Sequence, residues 1–482
     1  MSSNVITGAA PNTLSGKIDS FFEISKRGST FGREVRGGFV TFFAMAYILV
    51  LNPIILSHAL SKGGSIAMPD IAAGTALIAG IMTILMGVVA NYPMALAAGL
   101  GLNAMVAFTL VLGSGLSFQE AMGLIFWEGV VITVLVLTGF REAVFRAVPR
   151  QMKTAISVGI GLFIAFIGLI NGGIIRPQGG TVVGLGINGS LMGWPALVFV
   201  FGFFLTVVLY AARIKGSILI GIMSSTVLAV IVQLFAKLEV KSDKVPTGWG
   251  QTVPQLSVDS WHLPSFGSLG QIDFFGAFGK MGPVAALLVI FSLMLADFFD
   301  TMGTMVAIGE AGNLLDKEGN PPRTKAILIV DSLAAIAGGL GGVSSNTSYV
   351  ESSTGVGEGA RTGFAAVVTG VLFLVSIFLA PLVEIIPSEA ASTALVFVGF
   401  LMMVQVTEIN WKNLEVAIPS FMTIIFMPFA YSISVGIGVG FVTFLVVKLA
   451  RGKIREISPL MWIVSILFVI YFCLGPIQAL LS

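Results

Sequence analysis

The chain of 482 residues has one cysteine, Cys473, and two histidines, His58 and His262. A lone cysteine excludes an intrachain disulfide and a cysteine metal cluster. Two histidines near predicted segment ends leave little material for a histidine metal site or a Ser-His relay. Charge is scarce as well: 10% of residues are charged and the net charge is +2, which gives no footprint for nucleic acid. The polar N-terminus (Lys17, Lys26, Arg27, Arg33, Arg36) lacks a signal-peptide layout, because no small-residue cleavage site follows a short apolar core. No lysine or arginine stands deep in any apolar run.

What is there is mostly hydrocarbon: 56% of residues are hydrophobic, and mean hydropathy is +0.98. Apolar runs of roughly 17–22 residues recur, each long enough to cross about 30 Å of bilayer as a helix. The chain reads as an all-α polytopic membrane protein. Predicted spans are 37–56, 71–90, 94–112, 119–138, 152–172, 193–212 and 217–236, then 283–303, 326–342, 344–359, 364–383, 389–406, 415–431 and 432–450. A polar, proline-containing stretch at 237–271 divides the two sets.

Basic residues gather at the N-terminus, at 141–153, 213–215 and 317–325, at Arg361 and Lys412, and at 448–455. These positions fall on alternate ends of the spans, so they are expected in the cytoplasm, with 237–271 outside, in the cell (plasma or inner) membrane. Seven spans followed by seven of opposite orientation form the pattern of an inverted repeat. A last apolar stretch, 458–480, does not fit the count. It leaves open a fifteenth crossing, a re-entrant or interfacial helix, or a single broken span over 415–450.

The third segment of each set is irregular. The first reads PMALAAGLGLNAMVAF (93–108) and the second GVSSNTSYVESSTGVGEG (342–359). Non-helical backbone survives at membrane depth only beside protein or a water-filled cavity. Interrupted segments at matching places in two repeats are the sequence pointer to a transporter's substrate site. Short extended pieces are expected over about 95–99 and 345–350, leading into half-helices near Asn103 and from Ser352. Packing by small residues accounts for the glycines but not for a carboxylate. The patterns NTS (346–348) and NGS (188–190) are read as chance matches to a glycosylation motif.

Five carboxylates lie within apolar spans: Glu128, Asp297, Asp300, Asp331 and Glu351. Asp297 and Asp300, in LMLADFFDTMGTMVAIG, are one helical turn apart and share a face, with Thr301 and Thr304 adding hydroxyls. Two acids so placed in low dielectric cannot both stay charged, so a proton or a cation must share the site. Asp331 is read as a helix cap or structural hydrogen-bonder, and Glu128 as a polar partner between helices. Carboxylates opposed by backbone N–H groups and an Asn amide suit a flat neutral molecule with alternating donors and acceptors, as a nucleobase is. Three acids repel an anion. A metal ion would leave Phe298 and Phe299 (and Trp127, if it faces the site) idle, whereas a flat ring can stack on an aromatic. An intramembrane aspartyl hydrolase would need a second catalytic motif on another helix.

AAGLGLNA (97–104), DFFDTMGT (297–304) and YVESSTGVGEGARTG (349–363) resemble the AzgA-like adenine/guanine/hypoxanthine permeases, a branch related to the nucleobase–ascorbate transporters. The resemblance runs from about Thr30 to Leu449. It implies fourteen segments in two inverted sevens, with short strands leading into half-helices in segments 3 and 10. The implied division is a cytoplasmic N-terminus (1–36), a core domain (37–138 and 283–385), a gate domain (139–236 and 386–450), an external linker (237–282) and a C-terminal apolar segment (451–482). It also implies purine binding by Asn103, Asp297 and Glu351, with Val350 and Phe299 beside them, and supporting or coupling roles for Asp300, Thr301, Thr347 and Ser352. The expected activity is purine uptake by proton symport with elevator-like movement of core against gate; a uracil/xanthine-type nucleobase permease and a sodium-coupled purine symporter of the same fold are the alternatives. No cofactor is expected, and homodimerisation is implied by the resemblance alone. EGARTG departs from a more glycine-rich stretch in relatives, which leaves its role open.

Overall fold

The computed structural model describes residues 13–60, 66–138, 148–178, 181–242, 244–255, 263–317 and 320–473. His262, Arg141 and Arg146 lie outside these residues. A short helix, α1 (Leu14–Phe22), is capped by Thr13. The first segment is α2 (Phe31–Met45) followed by α3 (Ile48–Ser57), broken at Ala46–Tyr47. It starts six residues before the expected Gly37, because Thr30 caps it and Glu34 in its first turn accepts from the backbone N–H groups of Arg361 (2.8 Å) and Thr362 (3.3 Å). Next come α4 (Met68–Leu85, continued to Ala90), β1 (Leu96–Ala98), α5 (Leu100–Ala104, continued to Gly113) and α6 (Phe118–Thr138). The repeat closes with α7 (Arg150–Asn171), a hairpin of β2 (Ile175–Gln178) and β3 (Thr181–Leu185), α8 (Trp194–Ala211) and α9 (Ser217–Ala236).

The second repeat follows α10 (Gly276–Met281). It comprises α11 (Pro283–Gly312), α12 (Thr324–Gly341), β4 (Asn346–Ser348), α13 (Ser352–Gly357), α14 (Gly363–Ser376, continued to Ile385), α15 (Ser388–Met403, continued to Glu408), α16 (Leu414–Phe429) and α17 (Ile433–Ala450). Among the described residues, eleven helical runs are long and apolar enough to cross a membrane. α11 runs nine residues past its expected end, to Gly312, where Asn313 caps it in a left-handed conformation (φ 51°). α16 and α17 are two helices packed on one another, which removes the single broken span. α18 (Pro459–Phe472) packs on α17 and α11, and its 14 residues span about 21 Å.

The contacts between helices repeat under inversion. α6 packs on α12 as α14 packs on α4, and α11 packs on α6 as α2 packs on α14. Likewise α8 packs on α15 as α16 packs on α7, and α9 packs on α8 as α17 packs on α16. Two pairs map onto themselves, β1 with β4 and α7 with α15. At the second, a Cβ on Gly161 would lie 2.9 Å from the Gly399 carbonyl oxygen, and one on Gly399 would lie 2.5 Å from that of Gly161. Such backbone approach needs glycine on both helices. Segments 1–4 and 8–11 thus form one bundle, and segments 5–7 and 12–14 a second beside it.

Candidate functional site

The two interrupted segments meet at the first self-paired contact. β1 and β4 are antiparallel, with Leu96 opposite Ser348, Ala97 opposite Thr347 and Ala98 opposite Asn346. The ladder extends through Gly99 N–H to Ser345 C=O (2.9 Å) and Tyr349 N–H to Ala95 C=O (3.0 Å). Away from water every backbone group needs a partner, and side chains serve where the short ladder ends. The Thr83 hydroxyl both accepts from Leu96 N–H (2.9 Å) and donates to Leu96 C=O (3.0 Å). Tyr349 donates to Ala98 C=O (2.6 Å), Asn52 donates to Val343 C=O (3.0 Å), and Ser352 Oγ accepts from Ala95 N–H (3.0 Å). All three residues of NTS (346–348) are buried in this strand, so it presents no acceptor for a sugar.

Glu351 lies between β4 and α13, half-buried, and its carboxylate accepts a 2.5 Å hydrogen bond from Tyr47 at the break between α2 and α3. Val350 beside it is 51% exposed, and Asp300 is exposed as well. Helix periodicity shows what this exposure means. On α11 the exposed Val284 and Leu287 belong to one side of the helix, whereas the exposed Asp300, Gly303, Ala307 and Glu310 stand roughly half a turn away at about 100° per residue. The two exposed sets therefore stand on different sides of α11, and the second, which we call the cleft face, shares its exposure with Val350. Ser353, Thr354 and Gly357 of α13 continue its wall. The exposed strip runs from Asp300 to Glu310 at the end of α11. Across it, Lys153 of α7 places its ammonium 4.6 Å from the centre of the half-buried Phe299 ring.

Asp297, one turn before Asp300 and about 60° around α11 from it, is turned inward. It is fully buried, and its carboxyl lies beside that of Glu128 from α6 and the Thr347 hydroxyl. Glu128 Oε1 accepts from Ser345 Oγ (3.4 Å). Asp331 of α12 is also buried, next to Thr301 and within electrostatic range of Asp297. Thr301 and Thr347 share a hydrogen bond (2.9 Å), and Ser348 donates to Thr301 (3.2 Å), which ties α11 to β4. The Asn103 amide, at the start of the first half-helix, is buried with both polar atoms unpartnered. The DxxD pair is therefore split: Asp300 stands in the cleft and Asp297 behind it, among carboxyls from three helices.

The structure decides two points that the sequence left open. Asp331 is not a helix cap, since Arg323 occupies that position on α12, eight residues earlier. Trp127 does not face the cleft: its indole N–H donates to Phe274 C=O (2.8 Å) and its ring meets Phe126 and Phe275. Tyr47, Tyr349 and Lys153 join the site without having been singled out. The break after Met45, where Ala46 and Tyr47 precede a proline-bearing run, is the one sequence signal for Tyr47.

Paired discontinuous segments crossing inside an inverted repeat, with buried carboxylates at the crossing, define a membrane transporter. The Xan_ur_permease model, described as Permease family, matches residues 32–443, and the chain belongs to that family. It is 39% identical over 463 residues to the guanine/hypoxanthine permease PbuG of Bacillus subtilis, covering 94% of this chain and 99% of that one. It is 36% identical over 455 residues to the adenine permease AdeP of Escherichia coli, covering 94% and 96%. Among solved structures, the transmembrane domain of the cyanobacterial bicarbonate transporter BicA aligns with a TM-score of 0.55 at 14% identity, over 88% of this chain and 98% of that one. Murine Slc26a9, an anion transporter in an inward-facing state, aligns with a TM-score of 0.58 at 11% identity, over 92% and 73%. These two share the fold.

Proposed function

We propose that the chain imports purine nucleobases across the cell membrane by cation symport, with a proton as the coupling ion. The observation that carries this reading is Glu351, a carboxylate fixed by Tyr47 where strand meets half-helix and turned into the cleft beside Asp300. A purine offers ring N–H and amino donors to such carboxylates, and carbonyl or ring-nitrogen acceptors to the Asn103 amide. The permease relatives whose names carry guanine, hypoxanthine and adenine support the substrate class. Their fold-level neighbours carry anions, but three acids at the crossing repel an anion.

In this reading segments 1–4 and 8–11 are the core, segments 5–7 and 12–14 are the gate, and the core moves against the gate. The N-terminal face is cytoplasmic, in keeping with its basic residues. This reading exchanges the roles that the resemblance implies for the two aspartates: Asp300 joins Glu351 and Asn103 on the substrate, with Val350 and Phe299 as apolar walls. Asp297, shielded from the cleft and beside Glu128, holds the coupling proton, and Thr301, Thr347 and Ser352 brace the crossing.

The test is uptake of labelled hypoxanthine, guanine, adenine and uracil in cells lacking purine permeases, with a protonophore control. Saturable purine uptake that collapses with the protonophore supports the reading. Normal transport by both Glu351→Ala and Asp297→Ala overturns the site, and uptake that follows sodium and ignores the protonophore overturns the coupling ion.

A further inference from the structure

Rings from both bundles gather on the far side of the crossing from the exposed strip of α11. Phe108, on the continuation of α5, is buried with its ring centre 5.1 Å from the His58 imidazole and 5.9 Å from the Tyr431 ring. Tyr431 meets Phe163 at 5.4 Å and Phe166 at 6.2 Å, both on α7. His58 and Phe108 belong to one bundle; Phe163, Phe166 and Tyr431 belong to the other. The three contacts of Tyr431 are edge-to-face, at 81°, 82° and 73°, the favoured arrangement for aromatic pairs. Phe108 stands five residues past Asn103 on the same helical run, about 7 Å farther along. Phe163 stands ten residues past Lys153 on α7, about 15 Å farther.

Two further features mark the place. Tyr431 lies in the turn between α16 and α17 with φ at 52°, a conformation costly for a bulky side chain and retained where the surroundings hold it. A strap also crosses the seam. The His58 Nδ1–H donates to Ile54 C=O (3.0 Å), so Nε2 is free to accept from the Gln251 amide (2.9 Å). Ser57 Oγ donates to Gln251 Oε1 (3.3 Å). On either side of Gln251, Gly250 N–H donates to Glu389 Oε1 (2.8 Å) and Thr252 Oγ1 donates to Ile386 C=O (3.2 Å). Residues 250–252 thus tie the end of α3 to the start of α15.

The geometry points to an outer gate: His58 and Phe108 from one bundle and Phe163 and Tyr431 from the other close the route to the crossing from the face opposite the N-terminus, and the 250–252 strap holds them shut. This rests on reading the cleft as the substrate route. For the crossing to face outward, Tyr431 must leave Phe108, and Gln251 must release His58 or Glu389 must release the strap.

Site-specific labelling tests it. In a Cys473→Ser background, Gly303→Cys puts the only thiol in the cleft, where a Cβ meets nothing within 4 Å. A membrane-impermeant maleimide is applied to inside-out and right-side-out vesicles. Labelling from the N-terminal face is expected in every variant and reports folding. From the opposite face, Phe108→Ala with Tyr431→Ala raises the labelling rate at least about tenfold over the parent, while Tyr431→Phe, which keeps the ring, leaves it at the parental value. Outer labelling that stays at the parental rate while N-terminal-face labelling is retained overturns the gate. Where the double variant does not reach the membrane, Tyr431→Ala alone is held to the same criterion. A parent that takes up no purine removes the proposed substrate, yet the labelling result still decides the gate.

Discussion

Replacing Tyr47 by phenylalanine deletes one hydroxyl and keeps a fully buried ring in place. The lost group donates the 2.5 Å hydrogen bond that orients the Glu351 carboxylate. A hydrogen bond to a charged group contributes about 1.5–3 kcal/mol. Glu351 is half-buried at the cleft, so water replaces part of the bond and the net loss is set at about 1–2 kcal/mol. If that orientation is needed at the rate-limiting barrier, kcat/KM for purine uptake falls roughly 5- to 30-fold. The assay is initial-rate uptake over a range of hypoxanthine concentrations, normalised to protein in the membrane. A double-mutant cycle sharpens it: in a Glu351→Gln background the same change should cost less than about twofold, because the partner it positioned is gone. Unchanged kinetics for Tyr47→Phe, or equal losses in both backgrounds, refutes the argument that Tyr47 acts through Glu351.

Further outcomes follow from other contacts. Asp297→Asn should abolish accumulation of purine against a gradient while leaving exchange of pre-loaded labelled purine measurable; loss of both in equal measure would place Asp297 on the substrate rather than the proton. Thr301→Val removes the bonds to Thr347 (2.9 Å) and Ser348 (3.2 Å) and should lower uptake roughly 3- to 10-fold at normal expression, read by uptake and immunoblot together. Gly161→Leu drives a Cβ to 2.6 Å from that of Met402 and 2.9 Å from the Gly399 carbonyl, so it should lower Tm and the monodisperse yield in detergent by an overpacking cost of about 1–3 kcal/mol or more.

Hydropathy located the segments because a crossing helix must be apolar around most of its surface, so boundaries such as 217–236 could be read directly. The two short strands were legible for a different reason. Alanine, glycine and serine runs inside apolar sequence mark backbone that must be satisfied by something other than its own helix, and 96–98 with 346–348 satisfy one another. The division of labour within DxxD was not legible. Spacing puts Asp297 and Asp300 on one broad face of α11, but whether each meets water or protein depends on α6 and α12, which are distant in sequence. Glu128 and Asp331 were visible as buried acids, yet their company with Asp297 is a product of the helix packing. Tyr47 offered only a helix break as a signal, and Lys153, in the first turn of its helix, looked like an ordinary flanking charge.

The most direct test of the account is purified protein in liposomes, loaded with labelled hypoxanthine outside and challenged with an inward proton gradient. The account predicts saturable uptake that rises with the gradient, collapses when a protonophore is added, is competed by guanine or adenine, and is lost in Glu351→Ala. Uptake that ignores the proton gradient, or that persists unchanged without the Glu351 carboxylate, would contradict it.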